Sequence, residues 1–215
     1  MPCKNIVQFS SAGSGKTTEI VDEVLEDKQS KILILTYTKE NCYTIEKKLK
    51  EENGFVPNNV KLISWANFIM CDCVRPFHSN KCISNIKNFI FDIPKDKKGI
   101  AINLNYRNDD LRRYISPKNW IYYDYATDFA IQCNLNNCVI ERLQKNYDKI
   151  YIDEVQDLAG YDLDLLELLL KSTITIKMFG DIRQATYRTQ NVNKNSAYRG
   201  IKIKLKFNEW ADILQ

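Results

Sequence analysis

Residues 10–18 read SSAGSGKTT, and residues 153–157 read DEVQD. The first run is a glycine-rich loop ending in Gly-Lys-Thr; the second is an acidic cluster closing an apolar stretch. A phosphate chain packs several negative charges into a small volume and needs many donors there. Gly13 and Gly15 let backbone N–H groups turn inward and approach phosphates closely. A helix beginning near Lys16 aims its positive dipole end at the same anion. Lys16 adds a mobile charge for the β- and γ-phosphates, and the Thr17 hydroxyl suits a magnesium ion. Ser11, Ala12, Gly13, Ser14, Gly15, Lys16, Thr17 and Thr18 are therefore the expected nucleotide-binding residues. The strict pattern opens on glycine at the position that Ser10 holds here.

The acidic run complements the loop. A carboxylate just past a parallel strand lies on the sheet edge where ligands bind. Asp153 is placed to hold magnesium, and Glu154 to take a proton from an attacking water. Asp157 is open to a blander reading, as a cap for the next helix. A third run, GDIRQATY at residues 180–187, follows a further strand. Its Gln184 can sense a γ-phosphate through the amide, and Tyr187 offers a flat face to a nucleobase. An ordinary turn with a packed tyrosine explains that run equally well.

These residues need a scaffold that delivers them to one edge. Apolar runs predict strands over 5–9, 31–36, 60–64, 149–152 and 174–179. Helical patterns alternate with them at 16–27, 38–51, through Trp65, Phe68 and Ile69, in 123–147, and at 162–171. Asn53-Gly54 ends the second helix. Alternation of this kind implies an α/β fold, with a mostly parallel sheet and helices on both faces. From about 74 to 116 the pattern loosens around Pro76, Pro94 and the PKDKKG turn, as an insertion would.

Composition narrows the class. The chain has 215 residues, 44% hydrophobic and 27% charged, enough for one large domain with an inserted subdomain. No stretch approaches the ~20 apolar residues of a membrane span, and the N-terminus lacks the regions of a signal peptide. The cytoplasm is the expected location. Seven cysteines, an odd number, argue for free thiols over a disulfide framework. Cys71, Cys73, His78 and Cys82 lie close enough to suggest zinc, but residues two apart on a helix do not share a face. A net charge of +4 permits a polyanionic partner without demanding one.

SAGSGKT, TYTKEN at residues 36–41, DEVQD and GDIRQATY occur in this order. Together they resemble motifs I, Ia, II and III of superfamily 1 DNA helicases of the UvrD/Rep type. The pairing of DEVQD with GDxxQ separates this family from P-loop kinases and GTPases. The resemblance implies a RecA-like P-loop NTPase domain (1A) at 1–73 plus 146–215. Residues 74–145 then form an inserted, mainly helical 1B-like subdomain. It implies ATP and Mg2+ as cofactors, with Lys16, Glu154 and Gln184 in catalysis and Thr17 and Asp153 at the metal. Thr36, Tyr37 and Tyr187 would contact single-stranded DNA.

The departures from the family pattern carry expectations too. No glutamine-bearing adenine motif precedes the first strand, and Thr189 stands where the family has an aromatic residue. Nothing resembles motifs IV to VI, so a second RecA-like domain is expected to be absent from this chain. Efficient hydrolysis and unwinding would then draw arginines from such a domain or from a partner protein. The competing expectation is a nucleotide-dependent interaction module that partners a nuclease or other protein in a bacterial defence or repair system.

Overall fold

The structure, a computed structural model, describes residues 5–11, 13–77, 85–133, 137–181 and 189–214. Two compact units emerge, one from residues 1–68 with 140–215 and one from 69–139.

The first unit is built on five parallel strands: β1 (Ile6–Phe9), β2 (Ile32–Thr36), β3 (Val60–Ser64), β6 (Lys149–Ile152) and β7 (Thr175–Gly180). Their order across the sheet is β1-β7-β6-β2-β3, and every adjacent pair is parallel. In β2 all five residues are buried, because a strand covered on both faces needs an uninterrupted apolar run rather than alternation. Parallel strands require long crossovers, which α1 (Lys16–Glu26), α2 (Lys39–Asn53) and α6 (Asp162–Leu170) supply. The sheet is the mostly parallel α/β arrangement that the alternating sequence pattern implies.

Periodicity explains how the helices seat. In α1, Ile20, Val21 and Val24 form one stripe, and with Ile45 and Leu49 of α2 they cover Ile32, Ile34, Tyr151 and Phe179. Full burial of each such aliphatic chain stabilises by about 1.5–3 kcal/mol. Helix α2 starts where the Thr38 hydroxyl accepts from the Asn41 N–H at 3.1 Å, and it stops at Gly54, which is left-handed at φ 83°. Beneath α1, Lys177 of β7 bonds Glu19 at 2.8 Å and also Glu23, while Gln8 of β1 donates to Glu19 at 2.9 Å. Burial works against the Lys177 charge, but the two carboxylates outweigh it and raise its pKa. The helix behind the glycine-rich loop is thereby pinned to two strands. Helix α7 (Ile203–Glu209) places Phe207 5.6 Å from Phe9 of β1.

The second unit begins where α3 (Trp65–Phe68) passes into a turn of π-helix over Ile69–Val74. It holds a two-stranded parallel sheet, β4 (Asn88–Ile90) with β5 (Trp120–Tyr122), short 3-10 turns and the eleven-residue α4 (Tyr123–Cys133). Helix α5 (Cys138–Asn146) leads back to β6. Among the described residues no helix is long and apolar enough to cross a membrane.

Candidate functional site

Because all five strands run the same way, their C-terminal ends share one edge. Ser10 follows β1, Tyr37 follows β2, Trp65 follows β3, Asp153 follows β6 and Asp181 follows β7. The topology therefore delivers the loop, the acidic run and the TYTKEN run to a single side of the first unit.

The loop between β1 and α1 takes the shape its glycines allow. Gly13 and Gly15 are left-handed at φ 76° and 87°, with nothing within 4 Å of where a Cβ would stand. Ser14 N–H donates to the Ser11 carbonyl at 3.2 Å, and the Ser14 hydroxyl donates to Ser10 Oγ at 2.9 Å. Lys16 reaches back across the loop to the Ser10 carbonyl at 3.1 Å. Ser11, Gly13, Ser14, Gly15 and Thr18 are exposed, and Lys16 and Thr17 are half-buried. The Thr18 hydroxyl accepts from Lys48 of α2. Ala12 lies outside the described residues.

The acidic turn is held quite differently. Asp153 donates its N–H to Leu35 O at 2.8 Å and is only 7% exposed. Burial is the main cause lifting its pKa from 3.8 to about 7, and the neighbouring Glu154 charge adds to it. The Glu154 N–H and the positive charge of Lys16 pull the other way. Glu154 sits in the left-handed region at φ 57°, and its N–H donates to Asp153 Oδ1 at 3.1 Å. A buried carboxylate beside a second one, faced by one ammonium, suits a divalent cation, and Thr17 Oγ1 is a fitting second oxygen donor.

Gln156, whose residue type alone points to no chemistry, occupies the centre of this turn. It is 2% exposed, donates through Nε2 to Glu154 Oε2 at 2.5 Å, and accepts through Oε1 from the Asp181 N–H at 3.0 Å. Only its place inside DEVQD hinted at a role. Its second partner lies 25 residues away.

Asp157 does not cap the following helix: Tyr161 precedes α6, and no side chain caps its N-terminus. Instead the Asp157 carbonyl accepts from the Thr189 N–H at 2.9 Å. The Thr189 hydroxyl accepts from Ala159 N–H at 2.9 Å, and Gln190 bonds both Tyr161 N–H and Asp162 Oδ1. Thr189 and Gln190 are each 1% exposed, so these residues clamp the turn from inside. Gly160 makes room for the clamp, since a Cβ there would stand 2.4 Å from Gln190 Oε1.

Of the residues expected to meet DNA, Thr36 is 1% exposed, and its hydroxyl bonds the Thr38 carbonyl at 3.0 Å. That bond places the Thr36 side chain at the turn into α2. Tyr37 is half-buried and lines a narrow cleft with Trp65, Asp153, Glu154 and Asp157. Trp65, which the sequence pattern places only in a helix, is a further residue of this cleft. Gln184 and Tyr187 lie outside the described residues, as do His78 and Cys82. Cys71 is exposed and Cys73 buried. No group of three metal-binding side chains forms among the described residues.

Comparison with known proteins fits this geometry. The UvrD/REP helicase N-terminal domain family matches residues 122–196, a span that includes β6, the acidic turn and β7. That match likens residues 122–196 to the N-terminal domain of UvrD/REP helicases. Gabija protein GajB of Bacillus cereus (strain VD045) is 29% identical over 223 residues, which cover 96% of this chain and 42% of that protein. The chain thus spans less than half the length of this relative.

Proposed function

We propose that the chain is the ATP-binding N-terminal half of a UvrD/Rep-like ATP-dependent DNA helicase or translocase. The observation that carries this reading is the delivery of the glycine-rich loop with Lys16 and of the acidic turn with Asp153 and Glu154 to one sheet edge, where the Lys16 charge favours the ionised form of Asp153. On this reading Lys16 exchanges the Ser10 carbonyl for the β- and γ-phosphates, and backbone N–H groups of the loop, those of Gly13 and Gly15 among them, surround them. Thr17 and Asp153 hold the metal; Mg2+, when bound, neutralises the charge on the phosphate oxygens. Glu154 accepts the proton as water forms the new bond to the γ-phosphorus and the bond to the β-phosphate oxygen breaks, leaving ADP and phosphate. Gln184 senses the γ-phosphate.

Single-stranded DNA then runs over the same edge, with Tyr37 and Tyr187 stacking on bases at about 1–3 kcal/mol each. Arginines from a second RecA-like domain or a partner would complete the site, a contribution of ~10³–10⁵ in rate in related phosphoryl transfer. The chain alone should bind ATP–Mg2+ and turn it over slowly. Calorimetry tests the central claim. Lys16→Ala should weaken ATP–Mg2+ affinity at least about tenfold, and an unchanged affinity would end this reading.

The match to a Gabija protein over nearly the whole chain supports a second reading. Here nucleotide binding changes a surface presented to a nuclease or other protein in a defence or repair system. Nucleotide-dependent capture of such a partner, without any affinity for single-stranded DNA, would favour it over the motor.

A further inference from the structure

We propose that Gln156 is a positioning residue that ties the Glu154 carboxylate to the end of β7, so that the proton acceptor and the chain segment leaving β7 keep a fixed relation. The proposal rests on the ATPase reading above and adds a residue to its machinery.

The chemistry of the two partners sets what can stand at 156. Asp181 offers a backbone N–H, which can only donate, and an ionised Glu154 can only accept. A bridging side chain must accept at one atom and donate at the next, and it must be long enough to reach both. The primary amide of glutamine does this: Oε1 takes the Asp181 N–H at 3.0 Å while Nε2 gives to Glu154 Oε2 at 2.5 Å. An ionised carboxylate at 156 keeps the acceptor and loses the donor. A thioether of similar volume loses both.

Packing leaves the amide no other place. Gln156 is 2% exposed, and a Cβ on Gly180 would stand 2.8 Å from its Oε1. Glu154 is held at both ends: its N–H donates to Asp153 Oδ1 at 3.1 Å, and its carboxylate accepts from Gln156. Its left-handed backbone, unusual for a residue with a side chain, aims the carboxylate, and the amide stops it rotating away. Asp181 is 2% exposed, so its N–H loses its partner in a dry place if the amide is removed.

Two substitutions in the 215-residue chain separate the two bonds. Each is followed by three readouts: amide hydrogen exchange at Asp181, affinity for a fluorescent ATP analogue with Mg2+, and single-turnover ATP hydrolysis with protein in excess. Gln156→Met should speed exchange at Asp181 at least about tenfold and slow hydrolysis about 10–100-fold. Nucleotide affinity should stay within about threefold. Gln156→Glu should leave Asp181 protected and slow hydrolysis at pH 8. Its rate should recover toward wild type as the pH falls and the new carboxyl gains a proton to donate. Wild-type hydrolysis by Gln156→Glu at pH 8, or equal losses of affinity and rate in either variant, would overturn the proposal. A wild-type chain that neither binds nor hydrolyses ATP would overturn the ATPase reading and this role together; that result appears before any variant is compared.

Discussion

The two halves of the candidate site are built on opposite plans. The glycine-rich loop lies open: Ser11, Gly13, Ser14 and Gly15 are exposed, and its internal bonds are short-range, within residues 10–16. The acidic turn is closed in. Asp153, Gln156 and Asp157 are 7%, 2% and 5% exposed, and their bonds reach Leu35, Asp181 and Thr189 in distant parts of the chain. On the proposed ATPase reading the difference follows from what each half would do. A loop that wraps an anion has to keep its N–H groups available, so the fold can use few of them. Carboxylates that must hold a set orientation and basicity need fixed neighbours and little water. Stability and chemistry should therefore separate in the loop and coincide in the turn.

Substitutions of comparable size on the two sides should break that contrast if it is wrong. The largest effect is expected from Gly160→Ala, which drives a Cβ to 2.4 Å from Gln190 Oε1 and 2.6 Å from Val192 Cγ2 at φ 61°. Urea unfolding should show a loss of about 3 kcal/mol; a loss below about 1 would mean the clamp is slack.

Asp153→Asn should act in the opposite direction and depend on pH. The Asp153 pKa is raised from 3.8 to about 7 in the fold. Between those values the native chain holds a proton that the unfolded chain has released, so its contribution to stability falls as pH rises through that window. Asparagine has no proton to lose. Without metal, the variant should match wild type near pH 4 and exceed it by about 2 kcal/mol at pH 8. Thermal melts across that range check the sign.

On the loop side, Gly13→Ala meets open space at φ 76°, so its cost should be the left-handed backbone alone, about 1 kcal/mol. Ser14→Ala removes an exposed hydroxyl bond and should stay within about 0.5 kcal/mol. A large loss from Ser14→Ala would show the loop to be structural after all.

The parts legible in the sequence are those governed by local rules. Residues 60–64 and 149–152 form strands over the predicted spans, because short apolar runs between polar ends leave little choice. The Gly-Lys-Thr loop could be read because each of its residues has a local backbone or charge reason to be there. Strands β4 and β5 escaped notice, since three residues each are too few to show a period. The π-helical turn at Ile69–Val74 likewise has no composition of its own. In the site, Gln156, Trp65 and the burial of Thr36 were hidden for a different reason. Their partners come from other strands, and only the order β1-β7-β6-β2-β3 brings those partners close.

Gly180 joins the two plans. Its carbonyl accepts the Ser10 N–H at 3.0 Å, where the loop leaves β1. A Cβ on it would stand 2.9 Å from Phe9 on the loop side and 2.8 Å from Gln156 on the acid side. Its backbone is not left-handed, so space alone demands glycine. The clearance at this position works as a gauge: it sets how closely the glycine-rich loop's strand and the acidic turn approach each other. A side chain here would have to displace the Phe9 ring on one side and the Gln156 amide on the other, so the loop's strand and the acidic turn would feel the same substitution.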